Sequence, residues 1–182
     1  MRRSGGQAVR RTEGRISAVA WSARPAVRLS VAFLVSCTPV TTRPDFRPDP
    51  RALVIMLDAR PERVTGVLDS LVPAESLVVA HSNVRDGYVE TGWYDTQAHR
   101  TRRHERDITS LGATVKIRFW ADPWVPGQTR LTVEPVYRPR SDPSRVEREL
   151  EVIVPKEHEG YKLAQRLVDK LKERFGVPKA AQ

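Results

Sequence analysis

The apolar positions of residues 52–178 switch between two periods, and the switches delimit the elements. Ala52-Leu53-Val54-Ile55-Met56-Leu57 is a continuous apolar run, as expected of a short strand buried on both faces. Val64, Val67, Leu68 and Leu71 then recur at the spacing of one helical face. Pro61 suits the first turn of that helix and Pro73 ends it, while Gly66 weakens it. Ser76 to Val84 and Tyr88 to Tyr94 are β-rich and flank Arg85-Asp86-Gly87, a hairpin signal. Strict alternation in the second arm puts Val89, Thr91 and Trp93 on one face and Tyr88, Glu90, Gly92 and Tyr94 on the other. Thr96 to Ser110 is polar and basic and reads as an exposed loop. Ala113 to Ala121 alternates again, with Val115, Ile117 and Phe119 opposed to Lys116, Arg118 and Trp120. A two-proline turn, Asp122 to Gly127, leads back into Arg130 to Tyr137, where Pro135 suggests an edge strand or a bulge. Val146 to Val154 leaves open a helical turn feeding a short strand. Tyr161, Ala164, Leu167, Val168, Leu171 and Phe175 form one helical stripe, stopped by Gly176 and Pro178. The order strand, helix, four strands, helix predicts an α+β two-layer domain. Its antiparallel sheet would have about four to five strands packed on two helices.

The residues before this domain follow a different logic. Arg24 and Arg28 precede a short apolar core, Leu29 to Val35, and the core ends in Leu34-Val35-Ser36-Cys37. A positive flank, an apolar core and a small residue at the cut are what a secretory signal requires. Cys37 is the chain's single cysteine, so it supplies the one available thiol nucleophile. The quartet resembles the lipobox of bacterial lipoprotein signal peptides. The resemblance implies a diacylglyceryl thioether on Cys37, cleavage after Ser36 and an acylated (palmitate-class) new N-terminus. Two or three acyl chains anchor a protein stably, whereas one is marginal. Thr38, rather than Asp, follows the cysteine, which by the same resemblance implies release toward the outer membrane, with the domain on its periplasmic side. The flank from Met1 to Arg28 is long and contains Glu13, which points to a start downstream of Met1, for example at Val19 or Val27. Two other readings stay open: an ordinary cysteine behind an Arg-rich arm, and an organellar transit peptide. Residues 1–36 are thus expected to be a leader and residues 37–51 the lipidated cysteine with a Pro-rich tether. Pro39, Pro44, Pro48 and Pro50 favour an extended path reaching on the order of 40 Å. Residues 52–178 would be the globular domain and 179–182 a tail.

Charge narrows the partners. The formal net charge of +9 is concentrated at the start, where residues 1–37 hold seven arginines and one glutamate. The remaining 24 basic and 21 acidic side chains leave a nearly balanced domain, unlike the concentrated basic face of a nucleic-acid binder. One cysteine excludes an internal disulfide and a Cys-based zinc site. His99 and His104, near Glu105 and Asp107, lack a third convergent ligand, so no metal and no cofactor is expected. No Gly-x-Ser-x-Gly elbow, Gly-rich phosphate loop or dinucleotide fingerprint is present, so no catalytic residues are assigned. Arg100, Arg102, Arg103 and Arg106 are candidate anion contacts, since guanidinium forks match phosphate and carboxylate. Trp93, Trp120 and Trp124 are candidates for an interaction surface. Core packing is the competing reading for the first two, and Trp124 stands apart because its two-proline turn would leave it exposed.

The helix Pro61 to Val72, the hairpin through Asp86-Gly87 with Tyr88-Val89-Glu90-Thr91, the Trp93 that follows and the terminal helix together resemble the helix-grip module of BamC-type outer-membrane assembly lipoproteins. One module is covered, over residues 52–178, where that family has two. Three functional expectations follow. A non-catalytic envelope lipoprotein that binds a protein partner should show an exposed aromatic or apolar patch. A small-ligand carrier or enzyme should show a pocket between sheet and helices with polar residues such as His81, Arg118 or Glu90. A binder of nucleic acid or an anionic surface through the Arg100–Arg106 loop should show steep salt dependence.

Overall fold

The structure, a computed structural model, describes residues 43–102 and 110–178. Cys37 and the leader, His104, Arg103, Arg106 and the tail lie outside the described residues. The domain is α+β. Among the described residues eight strands form one antiparallel sheet, more than the four to five expected: β1 (Leu53–Leu57), β2 (Val79–Asn83), β3 (Tyr88–Thr91), β4 (Tyr94–Asp95), β5 (Arg100–Thr101), β6 (Thr114–Pro123), β7 (Thr129–Tyr137) and β8 (Val152–Ile153). Three α-helices, not two, accompany it among the described residues: α1 (Pro61–Ala74), α2 (Glu147–Leu150) and α3 (Glu159–Phe175). The four-residue α2 and the two-residue β8 are the helical turn and short strand left open for Val146 to Val154, whereas the two-residue β4 and β5 are too short to leave a periodic signature.

The main path of the sheet runs β1-β7-β6-β3-β2, with β4 continuing alongside β6, β5 beyond β4, and β8 alongside β7. Helices α1 and α3 pack on one face and on each other. The core lies between the layers, built from Val64, Leu68, Val115, Ile117, Phe119, Leu131, Val133, Leu167 and Leu171 among others. Val115, Ile117 and Phe119 point to the helices as their alternation requires, so Lys116, Arg118 and Trp120 point to the helix-free face.

Local chemistry fixes the turns. Between β2 and β3, the Asn83 carboxamide oxygen accepts from the N–H groups of Arg85 and Asp86. Gly87 there has φ +63°, and a Cβ would sit 2.2 Å from the Ala121 carbonyl oxygen, so glycine is required twice over. The His158 side chain caps α3, with Nδ1 accepting from Gly160 N–H and Nε2 donating to Gly112 O. Gly176, at φ +75°, closes α3.

Three expectations are corrected by these pairings. Pro135 sits in an interior strand rather than at a sheet edge. The pairing of β1 stops at Val133 and that of β8 begins at Val136, so Pro135 falls at the junction, where its carbonyl accepts from Val154 N–H at 3.1 Å and no N–H is needed. The alternation does not run from Tyr88 through Tyr94. It breaks at Gly92-Trp93, which moves Trp93 to the helix-free face beside Lys116 and sends Tyr94 into the helix-side core. Residues 43–51, expected to be free tether, lie against the domain. Arg43 bonds Asp122 and the Asp86 carbonyl, Phe46 packs edge-on against Trp120, and Asp49 N–H donates to Glu134.

Candidate functional site

The helix-free face is built by register. In the antiparallel ladder Arg118 of β6 stands opposite Glu90 of β3 on one side and Glu134 of β7 on the other. The guanidinium therefore lies in a row between two carboxylates, the favoured cross-strand arrangement of unlike charges. Its Nε reaches Glu90 Oε2 at 3.1 Å and Nη1 reaches Glu134 Oε2 at 3.1 Å. The third contact comes from Glu151, between α2 and β8, whose Oε2 is 2.6 Å from Nη2. Lys116 adds 3.0 Å to Glu90, and Arg148 adds 3.1 Å to Glu151 and 3.6 Å to Glu134. Three cations thus face three carboxylates. The Arg118 side chain is 4% exposed and that of Glu134 is 0% exposed. Charges so buried persist only when paired and hydrogen-bonded.

Aromatic side chains close the row. Tyr88 O–H donates to Glu90 Oε2 at 2.5 Å and its ring packs against Trp120. Phe46, from the strap formed by residues 43–51, lies 3.9 Å from the Arg148 guanidinium and 5.3 Å from that of Arg118. Trp93 receives Lys116 at 4.7 Å and Arg138 at 4.5 Å over its ring. The Trp120 indole N–H is buried with no hydrogen-bond partner among the described residues.

The electrostatics of the row point away from acid–base work. Burial opposes ionisation of the Glu90 carboxyl, but Lys116, the Tyr88 hydroxyl and Arg118 outweigh it and hold the group below the usual carboxylate range. Burial, with the hydrogen bond to Glu90, pushes the Tyr88 hydroxyl up. Burial disfavours the Arg118 charge, yet Glu151, Glu90 and Glu134 more than compensate and raise its pKa. All three shifts move titration away from neutrality, whereas a general acid or base is tuned toward it. The row is a closed structural network. Beside it an open groove of about 400 Å³ is lined by Arg47, Asp49, Glu134, Arg148, Glu149 and Ile153.

The sequence-derived candidates scatter. Trp93 and Trp120 are 5% and 1% exposed, which removes both as contact residues, because the strap and flanking cations cover them. Trp124 is 56% exposed, at the tip of the β6–β7 hairpin with exposed Val125. A second shallow hollow, of about 410 Å³, lies there between Arg60, Glu62, Pro123, Trp124 and Pro126. Arg118 and Glu90 lie on the helix-free face and His81 is exposed on the edge strand β2, so none of the three lines a pocket between sheet and helices. Arg100 is exposed. Arg102 is engaged by Asp95 at 2.5 Å, which makes it a brace for the loop. Burial opposes ionisation of Asp95, but Ala98 N–H, Arg102 and Gln97 N–H hold its carboxyl low.

Sequence reasoning missed Phe46, Glu134, Arg148 and Glu151. A signal existed for two of them. Phe46 is the lone aromatic in a Pro-rich stretch, and Glu134 alternates with Leu131 and Val133, which puts it in phase with the polar face. Among the described residues no helix is long and apolar enough to cross a membrane. No protein-family model matches the chain, and no curated protein matches it significantly in sequence.

Proposed function

We propose that this chain is a lipid-anchored cell-envelope protein whose α+β domain is a non-catalytic binding or structural module. The observation that carries the non-catalytic part is the Arg118 row, a charge-matched and covered network in which the Glu90 carboxyl is held low and the Arg118 charge is reinforced by its carboxylates. The Leu34-Val35-Ser36-Cys37 quartet supports the anchor, and the helix-grip resemblance suggests outer-membrane assembly as the setting. The partner in this reading is another envelope protein, with the bilayer engaged through Cys37, and neither nucleic acid nor metal is required.

The test is the intact mass of the chain from a bacterial membrane fraction, measured beside the Cys37→Ala variant. Loss of residues 1–36 with added acyl mass, abolished in the variant, is the expected result. A soluble, unprocessed and unacylated chain would overturn the reading.

One observation favours a second reading, a small-ligand carrier: the groove beside Arg148 is open and edged by Arg47 as well as by Glu149. A panel of small carboxylates and phosphates that raised Tm, and failed to do so in Arg47→Ala, would shift the assignment to that reading.

A further inference from the structure

We infer that the Trp124-Val125 hairpin tip is a membrane-interface contact that orients the domain on the bilayer. The inference rests on the anchor proposed at Cys37 and adds which end of the domain meets lipid.

The first observation is where the chain joins the domain. Arg43 Nη2 is 2.7 Å from Asp122, and its Nη1 donates to the Asp86 carbonyl at 3.0 Å. Asp122 is two residues from Trp124, so the chain enters at the hairpin-tip end of the sheet. Six steps of covalent chain separate Cys37 from Arg43, at most about 20 Å when fully extended. The ten residues of β6 span roughly 33 Å. An anchor shorter than the sheet is long, attached at one end of it, holds that end near the headgroups.

The second observation is independent of the anchor. Of the exposed large apolar side chains among the described residues, Trp124, Val125, Val84 and Val177 share this end, while Val54, Val78 and Val146 are scattered elsewhere. Trp124 and Val125 form the tip, Val84 lies in the adjacent β2–β3 turn, and Val177 follows Gly176, whose carbonyl accepts from Asp58 N–H just beyond β1. Tryptophan is the side chain most suited to an interface, with an apolar body and one polar N–H. Pro123 and Pro126 stiffen the turn, so insertion orders little additional chain.

Charge does not carry the contact. Arg60, Arg85 and Arg130 are exposed at this end, but so are Asp58 and Glu62. Two apolar side chains would not hold a free protein on a membrane. A short tether makes the contact intramolecular, at millimolar-scale effective concentration, and a modest affinity then suffices. Apolar insertion to about 5–10 Å is the expected depth, and it should withstand added salt.

The test uses the full chain, processed in bacteria, purified in detergent and reconstituted into vesicles containing lipids brominated near the headgroup boundary. Acylated Cys37 cannot be labelled, so a Val125→Cys variant carries one environment-sensitive probe, and Val146→Cys, at an exposed loop site away from the tip, is the control. Intact mass of the same samples reports acylation. The expected result is acyl mass together with a blue-shifted probe at position 125, quenched about twofold with little change in salt, against an unquenched probe at 146. Adding Trp124→Asp should return the probe to water while the acyl mass is kept. Acylated protein with an unquenched probe at 125, or quenching indifferent to Trp124→Asp, overturns the inference, leaves the anchor standing and frees the tip for a protein partner. Absence of acyl mass overturns the anchor, and the membrane contact with it.

Discussion

The two faces of β6 are both buried at their centres and chemically opposite. Toward the helices Val115, Ile117 and Phe119 are each 0% exposed. Toward the strap Arg118 and Trp120 are 3% and 1% exposed. The helix side is held by area removed from water, which is non-directional and forgiving of changes in shape. The strap side is held by stoichiometry, three cations against three carboxylates. Removing a methylene from the first loses packing in proportion to what is removed. Removing one charge from the second strands its partners in a poorly solvated layer.

The largest effects should come from the centre of each face. Phe119→Ala should cost about 3–5 kcal/mol in urea unfolding through lost transfer energy and a residual cavity. Arg118→Met should cost a similar amount, roughly 3–5 kcal/mol, because Glu90, Glu134 and Glu151 lose the cation they share and only Lys116 and the partly exposed Arg148 remain against three carboxylates. Compensation separates the two mechanisms. Adding Glu134→Leu to Arg118→Met should recover more than about 1 kcal/mol, a coupling that a double-mutant cycle reads directly. The same Glu134→Leu added to Phe119→Ala should recover nothing. Equal behaviour of both pairs would mean that the ionic face is merely packed.

A smaller effect is expected where the two chemistries meet at the cover. Phe46 is half-buried and rests on Trp120, Arg118 and Arg148. Phe46→Ala should cost about 1–3 kcal/mol, less than a fully buried phenylalanine. It should also shift tryptophan emission to the red and raise acrylamide quenching, since Trp120 loses its lid. An unchanged spectrum would show that the strap does not seal this face.

How far the two faces were legible differs for a physical reason. Alternation along residues 113–121 assigned each side chain to its face, because strand period is a local property. That the polar face is interior was not legible. Its lid is the strap, whose prolines have the composition of a free tether, and its counter-charges arrive from β3, β7 and the α2–β8 junction through register. Trp93 was placed on the wrong face because one slip at Gly92 inverts every later side chain, and the only local mark of that slip is the glycine itself. Trp124 was placed correctly at the surface by a local cue, two prolines in one turn. Local rules sufficed wherever the determinant was local.

Acid should distinguish the faces again, more gently. Glu90 and Asp95 have folded-state pKa values below those of the unfolded chain. Such groups contribute stability that is fully present above the unfolded value, about pH 4 to 4.5, and lost as pH falls through the folded value. Urea midpoints should therefore hold from neutrality to about pH 5 and decline below it. The decline should be shallower in Glu90→Gln, and Phe119→Ala should keep the wild-type slope. A Glu90→Gln variant with the same slope would assign acid sensitivity to carboxylates outside the row.

The smallest effect should fall on the ion pair at the strap's end. Arg51 chelates Asp49 with both oxygens within 3.0 Å and holds that carboxyl at about 2, chiefly through the side-chain hydrogen bond. By distances alone this pair matches Arg118 with Glu151. It differs in solvent, since the Arg51 side chain is 70% exposed. Water screens an exposed pair and solvates either partner once the other is gone, so no stranded charge results. Arg51→Ala should leave the urea midpoint within experimental error at neutral pH. It should still return the Asp49 carboxyl toward its ordinary value, measurable by NMR titration. A destabilisation comparable to that of Arg118→Met would mean that geometry, rather than burial, sets the worth of these pairs, and the contrast between the two faces would lose its basis.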